Sequence, residues 1–136
     1  HLGNLSAKRD WGHAKDYVKA TWMILQKDNP SDYVISSQKQ YSVKEFIEKA
    51  AQHINIKITW SGKGVNEKGI DQNGKIIIKV DPGYFRPAEV DTLLGDSTKA
   101  KKDLGWSNEI SFDDLVKEMM INDLELAKKE KIMSKL

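Results

Sequence analysis

Cysteine is missing from the 136 residues. This excludes a disulfide framework, a thiolate metal site and a thiol nucleophile, and it fits a reducing, cytoplasmic setting. No apolar run approaches the ~20 residues that a membrane-spanning helix needs, and no signal-peptide pattern is present. Net charge is only +2, so no general attraction to nucleic acid or to acidic membrane surfaces follows. Arginine is almost absent. Of 22 basic residues, Arg9 and Arg86 are the only two arginines, and lysine supplies the rest. The three histidines, His1, His13 and His53, are scattered and do not carry metal-ligand spacing.

What remains is ordinary for a globular protein: 39% hydrophobic and 31% charged residues, at a length suited to one domain or a large piece of one. The chain opens on His1-Leu2-Gly3-Asn4, which reads like a strand entering a turn, so a fragment of a longer protein is expected. Residues 11–27 carry Trp11, Ala14, Val18, Trp22 and Leu25 at helical spacing, with Asp10 as N-cap and Asn29-Pro30 as the stop. Tyr33 to Ser36 reads as a short strand. Ser42-Val43-Lys44-Glu45 is a capping box, followed by the stripe Phe46, Ile47, Ala50, Ala51 and Ile54.

Ile56 to Trp60 and Ile76 to Val80 read as strands, and the charged, glycine-containing stretch 61–75 as an exposed loop between them. A short helix is expected from Thr98, capped by Asp96 or Ser97 and closed by Gly105. The last helix starts at Ser111, with the stripe Phe112, Leu115, Val116, Met119 and Leu124, and its charged end, 128–136, is expected to fray. Strands and helices mix without a long repeat, giving an α/β or α+β class. Three or four short strands are few for a free-standing sheet, and the apolar stripes call for a sheet to cover them.

The two arginines invite a functional reading because a guanidinium grips carboxylate or phosphate through a planar fork, which lysine does not. A structural salt bridge explains either one equally well on composition. Their surroundings differ from a random surface. Arg9 precedes Asp10-Trp11-Gly12-His13 at the mouth of the first helix, where free amides and the helix dipole attract anions. Arg86 lies in Tyr84-Phe85-Arg86-Pro87-Ala88-Glu89, with two aromatics, a proline and a carboxylate in six positions. Phosphate could take the arginine and a sugar hydroxyl Glu89; an internal Arg86–Glu89 pair is the alternative.

Three segments carry a resemblance: Arg9-Asp10-Trp11-Gly12-His13-Ala14-Lys15-Asp16-Tyr17-Val18, then Arg86-Pro87-Ala88-Glu89, then Gly95-Asp96-Ser97-Thr98-Lys99-Ala100 leading to Leu104-Gly105-Trp106. In order and spacing they resemble the extended short-chain dehydrogenase/reductases that act on nucleotide sugars. The wording of the first two, with Leu2-Gly3-Asn4-Leu5 before them, is most similar to the GDP-mannose 4,6-dehydratases. The resemblance implies the carboxyl-terminal, substrate-binding portion of a Rossmann-like α/β enzyme, covering residues 1–136.

It further implies that Arg9 and Arg86 hold the diphosphate of GDP-mannose and that Glu89 binds the ribose hydroxyls, with Asn4 and Leu5 lining the nucleotide pocket. Lys99, Leu104 and Trp106 would be packing residues, and His13 and Asp16 positioning residues at the helix mouth. The implied partners are GDP-mannose, the amino-terminal half of the same enzyme and further copies of it in a dimer or tetramer.

The implied chemistry passes a hydride from the sugar to NADP and returns it after loss of water. That needs a glycine-rich dinucleotide turn and a Tyr-x-x-x-Lys pair. Neither is found here: Tyr17, Tyr33, Tyr41 and Tyr84 are followed four residues later by Thr21, Ser37, Glu45 and Ala88. Gly62, Gly64 and Gly69 have the wrong spacing for the turn. The expectation is a chain that grips the substrate while NADP is bound mainly elsewhere. A different nucleotide-sugar epimerase or reductase, or a non-catalytic binding module, are the competing readings.

Overall fold

The computed structural model describes residues 1–86, 90 and 92–134; Glu89 of the expected site lies outside them. Among the described residues, four helices and two small antiparallel sheets follow in the order β1 (Lys8–Arg9), α1 (Ala14–Leu25), β2 (Tyr41–Ser42), α2 (Val43–His53), β3 (Thr59–Ser61), a 3₁₀ turn (Gly64–Asn66), β4 (Lys68–Ile70), β5 (Ile76–Lys79), α3 (Thr98–Leu104) and α4 (Phe112–Met133). β1 pairs with β2, Arg9 opposite Tyr41. β3, β4 and β5 form a meander, with a register shift between Gly69 and Ile70.

Local signals hold well where one residue closes its own element. Ser42 accepts from Glu45 N–H while the Glu45 carboxylate accepts from Ser42 N–H at 2.6 Å, the complete capping box. Ser111 caps α4 through Asp114 N–H. Gly105, at φ 68°, ends α3 in the left-handed conformation that glycine enters without steric cost.

Elsewhere the fold departs from expectation. Helix α1 begins at Ala14, and its N-cap is His13, whose Nδ1 accepts from Lys15 N–H at 3.1 Å. Asp10 does not cap it. The Asp10 carboxylate instead accepts from Ser37 N–H (2.8 Å) and Gln38 N–H (3.0 Å) and holds Gln38 at φ 60°. The helix ends before Asn29-Pro30, its last turn tightened by a 3₁₀-type bond from Gln26 N–H to the Met23 carbonyl. Its apolar stripe faces outward: Val18 is 68%, Trp22 62% and Leu25 75% exposed. The inner face is made by Asp16 and Ala20, with Tyr17 and Met23 beside them.

Tyr33–Ser36 pairs with no strand among the described residues. The strand expected at Ile56 starts only at Thr59, and the stretch 61–75 is not simply a loop, since it contains β4, the centre of the meander. Here cross-strand pairing overrides a composition poor in strand formers. In α4, Phe112 and Val116 are buried whereas Met119 and Leu124 are exposed, and residues 128–133 continue as exposed helix.

Two clusters hold these elements together. Ala20, Ala100 and Trp106 form one, with Tyr33, Ile35 and Leu104 against it. The other joins α2 and α4 through Phe46 and Phe112, with Tyr41 stacked on Phe112 at 3.9 Å and Trp11 beside Phe46 at 4.9 Å. Asp16 ties α1 to the start of α4: its carboxylate accepts from Glu109 N–H (3.1 Å) and Ile110 N–H (3.0 Å), and its carbonyl accepts from Trp106 Nε1–H (2.9 Å).

Candidate functional site

The amino-terminal segment runs between two others. On one side Leu2 pairs in parallel with Val80 and Lys8 with Thr92, so the stretch carrying Arg86 leaves beside Leu2 and returns beside Lys8. On the other side the carbonyls of Leu5 and Ala7 accept from Lys44 and Val43 N–H. Gly3 makes the close passage possible, because a Cβ there would stand 2.4 Å from the Tyr84 carbonyl oxygen.

This arrangement places Asn4, Leu5 and Arg9 along one segment, flanked by both ends of the stretch that bears Arg86. Arg9 projects from β1, and its Nη1 donates to the carbonyls of Lys8 (2.7 Å) and Val90 (2.9 Å). The guanidinium therefore ties β1 to the returning stretch. Arg86 is exposed and follows a turn in which the Asp81 carbonyl accepts from Tyr84 and Phe85 N–H. Asn4 Oδ1 accepts from Ser6 N–H at 2.9 Å, fixing the bend before Arg9. The Leu5 side chain is buried, so it shapes this segment from within the core.

Beside Arg9 opens a cleft of ≈ 360 Å³, lined also by Asp10, Tyr17, Val34, Ser36 and Leu94. Sequence reasoning missed Tyr17 and Ser36. Tyr17 lies in the Arg9–Val18 segment but was given no role there, Ser36 lies in no motif, and the two meet at the cleft only through folding. Burial, reinforced by the carboxylates of Asp10 and Asp16, raises the Tyr17 phenol above its usual value, so near neutral pH it is a hydrogen-bond donor. His13 and Asp16 stand outside this lining as positioning residues, in agreement with the sequence. His13 is buried, with Nε2 3.4 Å from Glu118.

A model of the family described as GDP-mannose 4,6 dehydratase matches residues 1–119. The chain belongs to that family. Similar curated proteins include the GDP-mannose 4,6 dehydratase of Homo sapiens, 54% identical over 92% of this chain and 34% of that protein. That of Drosophila melanogaster is 52% identical over 96% of this chain and 33% of that protein, and that of Vibrio cholerae serotype O1 is 50% identical over 98% and 39%. The chain thus spans about a third of the length of these GDP-mannose 4,6-dehydratases.

Among solved structures, the UDP-glucose 4-epimerase of Thermotoga maritima with UDP-glucose matches at TM-score 0.68 and 17% identity, covering 93% of this chain and 35% of that one. The Bordetella bronchiseptica enzyme WbmF with NADH matches at 0.64 and 22%, covering 99% and 35%. These likenesses establish the fold: part of a Rossmann-like, short-chain dehydrogenase/reductase fold of mixed helices and short strands.

Gly62, Gly64 and Gly69 do not suit the phosphates of a dinucleotide. Gly62 and Gly64 (φ 81° and 57°) flank the 3₁₀ turn, and Gly69 lies in β4, walled by Ile58, Trp60 and Ile78; the chain then continues into β5, not into a helix whose N-terminus could face an anion. Among the described residues, no group of three or more His, Asp or Glu could hold a metal ion, and no helix is long and apolar enough to cross a membrane.

Proposed function

We propose that this chain is the substrate-gripping part of a GDP-mannose 4,6-dehydratase, and that the remainder of the enzyme supplies the NADP site and the proton-transfer residues. The observation that carries the reading is the placement of Arg9 on β1, bonded to the returning stretch that bears Arg86, in a chain of this family. Arg9 and Arg86 present forked donors to the two phosphates of GDP-mannose. Glu89 takes the ribose hydroxyls, the bend at Asn4 lines the nucleotide pocket, and Leu5 supports that bend from the core. None of these residues transfers a hydride or a proton; they bind and orient.

The test is calorimetric titration of the full-length enzyme with GDP-mannose. Arg86→Ala is expected to weaken binding by about 2–5 kcal/mol, as for truncating one partner of a desolvated charge pair. Arg86→Lys is expected to remain weaker than the parent because the fork is gone. An unchanged dissociation constant for Arg86→Ala removes Arg86 from the site. Tighter binding of a UDP- or TDP-sugar than of GDP-mannose shifts the reading to another nucleotide-sugar epimerase or reductase.

A further inference from the structure

The stretch that bears Arg86 is tied down at both of its ends, and Arg86 lies midway between the ties. At one end Val80 bridges Leu2, and at the other Thr92 bridges Lys8. The first end is held by main-chain bonds: Leu2 N–H donates to the Lys79 carbonyl at 3.0 Å, and Asp81 N–H donates to the Leu2 carbonyl at 2.8 Å. The second end is held by side chains. Gln40 Nε2 donates to Thr92 Oγ1 at 2.6 Å, and Thr92 Oγ1 donates to Gln40 Oε1 at 2.9 Å. Gln38 Nε2 donates to Asp96 Oδ1 at 3.1 Å.

The Gln40–Thr92 pair has a particular place. Gln40 directly precedes Tyr41, the partner of Arg9, while Lys8 has Ser42 on one edge and Thr92 on the other. β1 therefore runs between β2 and the returning stretch, and the pair joins these two flanks past the strand that carries Arg9. One hydroxyl both gives and takes a hydrogen bond with one amide, which fixes direction as well as distance. The β-branched threonine adds a stiff χ1. The segment leading to Gln40 is itself anchored beside Arg9, because the Asp10 carboxylate holds the Ser37 and Gln38 amides.

We propose that Gln40 and Thr92 are positioning residues for the substrate. They set the place of Arg86 relative to Arg9, and through it the affinity for the diphosphate of a nucleotide sugar, without touching the ligand. A forked donor engages two phosphate oxygens only when both of its N–H groups arrive in line. A shift of about 1 Å at the base of the stretch is enough to lose that alignment. The proposal rests on the reading of Arg9 and Arg86 as the phosphate grip.

Calorimetric titration of the full-length enzyme with GDP-mannose tests it. Gln40 is half-buried and Thr92 exposed, so substitutions there are expected to leave the fold intact. Gln40→Ala and Thr92→Val are each expected to raise the dissociation constant about 2- to 10-fold, the worth of one neutral hydrogen bond. Thr92→Ser keeps the hydroxyl and is expected to bind like the parent. In the Arg86→Ala enzyme, Gln40→Ala is expected to add no further loss, because the two act as a unit. An unchanged dissociation constant for Gln40→Ala overturns the proposal, whether or not the melting temperature falls. So does a loss that Thr92→Ser shares with Thr92→Val, or a Gln40→Ala loss that multiplies in full with that of Arg86→Ala. The two readings fail differently. Unchanged binding by Arg86→Ala rejects the phosphate grip and the positioning with it, whereas weakened binding by Arg86→Ala beside unchanged binding by Gln40→Ala rejects the positioning alone.

Discussion

At the scale of single residues, the molecule depends on side chains that reach far along the chain. Gly95 is one place where this becomes a prediction. A Cβ at Gly95 would stand 2.5 Å from Ser36 Cβ and 3.2 Å from Val34 Cγ1, and Ser36 is pinned from behind by Ser97. Gly95→Ala is therefore expected to cost about 1–3 kcal/mol, the usual range for overpacking a filled site, read as a lower denaturation midpoint. Asp16 shows why such residues escape a reading of the sequence. Its carboxylate partners lie 93 and 94 residues further along, so nothing next to it announces its role. The resemblance singled it out, and the structure supplies the reason: one buried carboxylate satisfies two amides that precede α4.

At the scale of elements, local chemistry was legible and choice of face was not. The Ser42 capping box, the Ser111 cap and the Gly105 stop each involve atoms within a few residues of one another, and each formed as the sequence implied. The period of Val18, Trp22 and Leu25 correctly shows a helix, but α1 has apolar residues on two sides, and periodicity does not say which side this chain covers. The meander was legible in β5 and in part of β3, whereas lysines and glycine mask β4 until its neighbours pair with it.

The capping box also carries a pH dependence. The Glu45 carboxyl is held below its ordinary value, first by the bond from Ser42 N–H and then by the Ser42 hydroxyl. A depressed carboxylate contributes stability that is complete above the unfolded-state value and fades as pH falls through the folded one. Glu45→Gln is thus expected to lower the melting temperature slightly near neutrality, where the ionised carboxylate contributes, and to leave it little changed at about pH 3, so that the acid limb between about pH 3 and 5 is flatter. An acid limb identical to that of the parent would show that the carboxylate adds nothing to the cap.

At the scale of the whole molecule, the proposed function divides gripping, by this chain, from transforming, by the rest of the enzyme. The stretch that bears Arg86 meets the Arg9 segment at its two ends, while Gly62, Gly64 and Gly69 lie in a turn and a strand unsuited to a dinucleotide. The chain by itself is accordingly expected to show no conversion of GDP-mannose with added NADP, and turnover by the purified 136-residue chain would contradict this. The site was only partly legible from residues alone. Scarcity of arginine pointed to Arg9 and Arg86, but the bond from Arg9 to the Val90 carbonyl and the cleft walls at Tyr17 and Ser36 depend on segments that meet only after folding.

The outward stripe of α1 has an optical consequence. The chain carries four tryptophans; Trp106 is sealed at 1% exposure and Trp22 is open at 62%. A collisional quencher such as iodide should therefore dim Trp22 and spare Trp106, giving a biphasic Stern–Volmer plot for the isolated chain. If the rest of the enzyme covers this stripe, the quenchable fraction falls and the emission shifts to the blue in the full-length protein, with Trp22→Phe removing the difference. The residue that looks most out of place on the surface of α1 is thereby a built-in reporter of whether the chain stands alone.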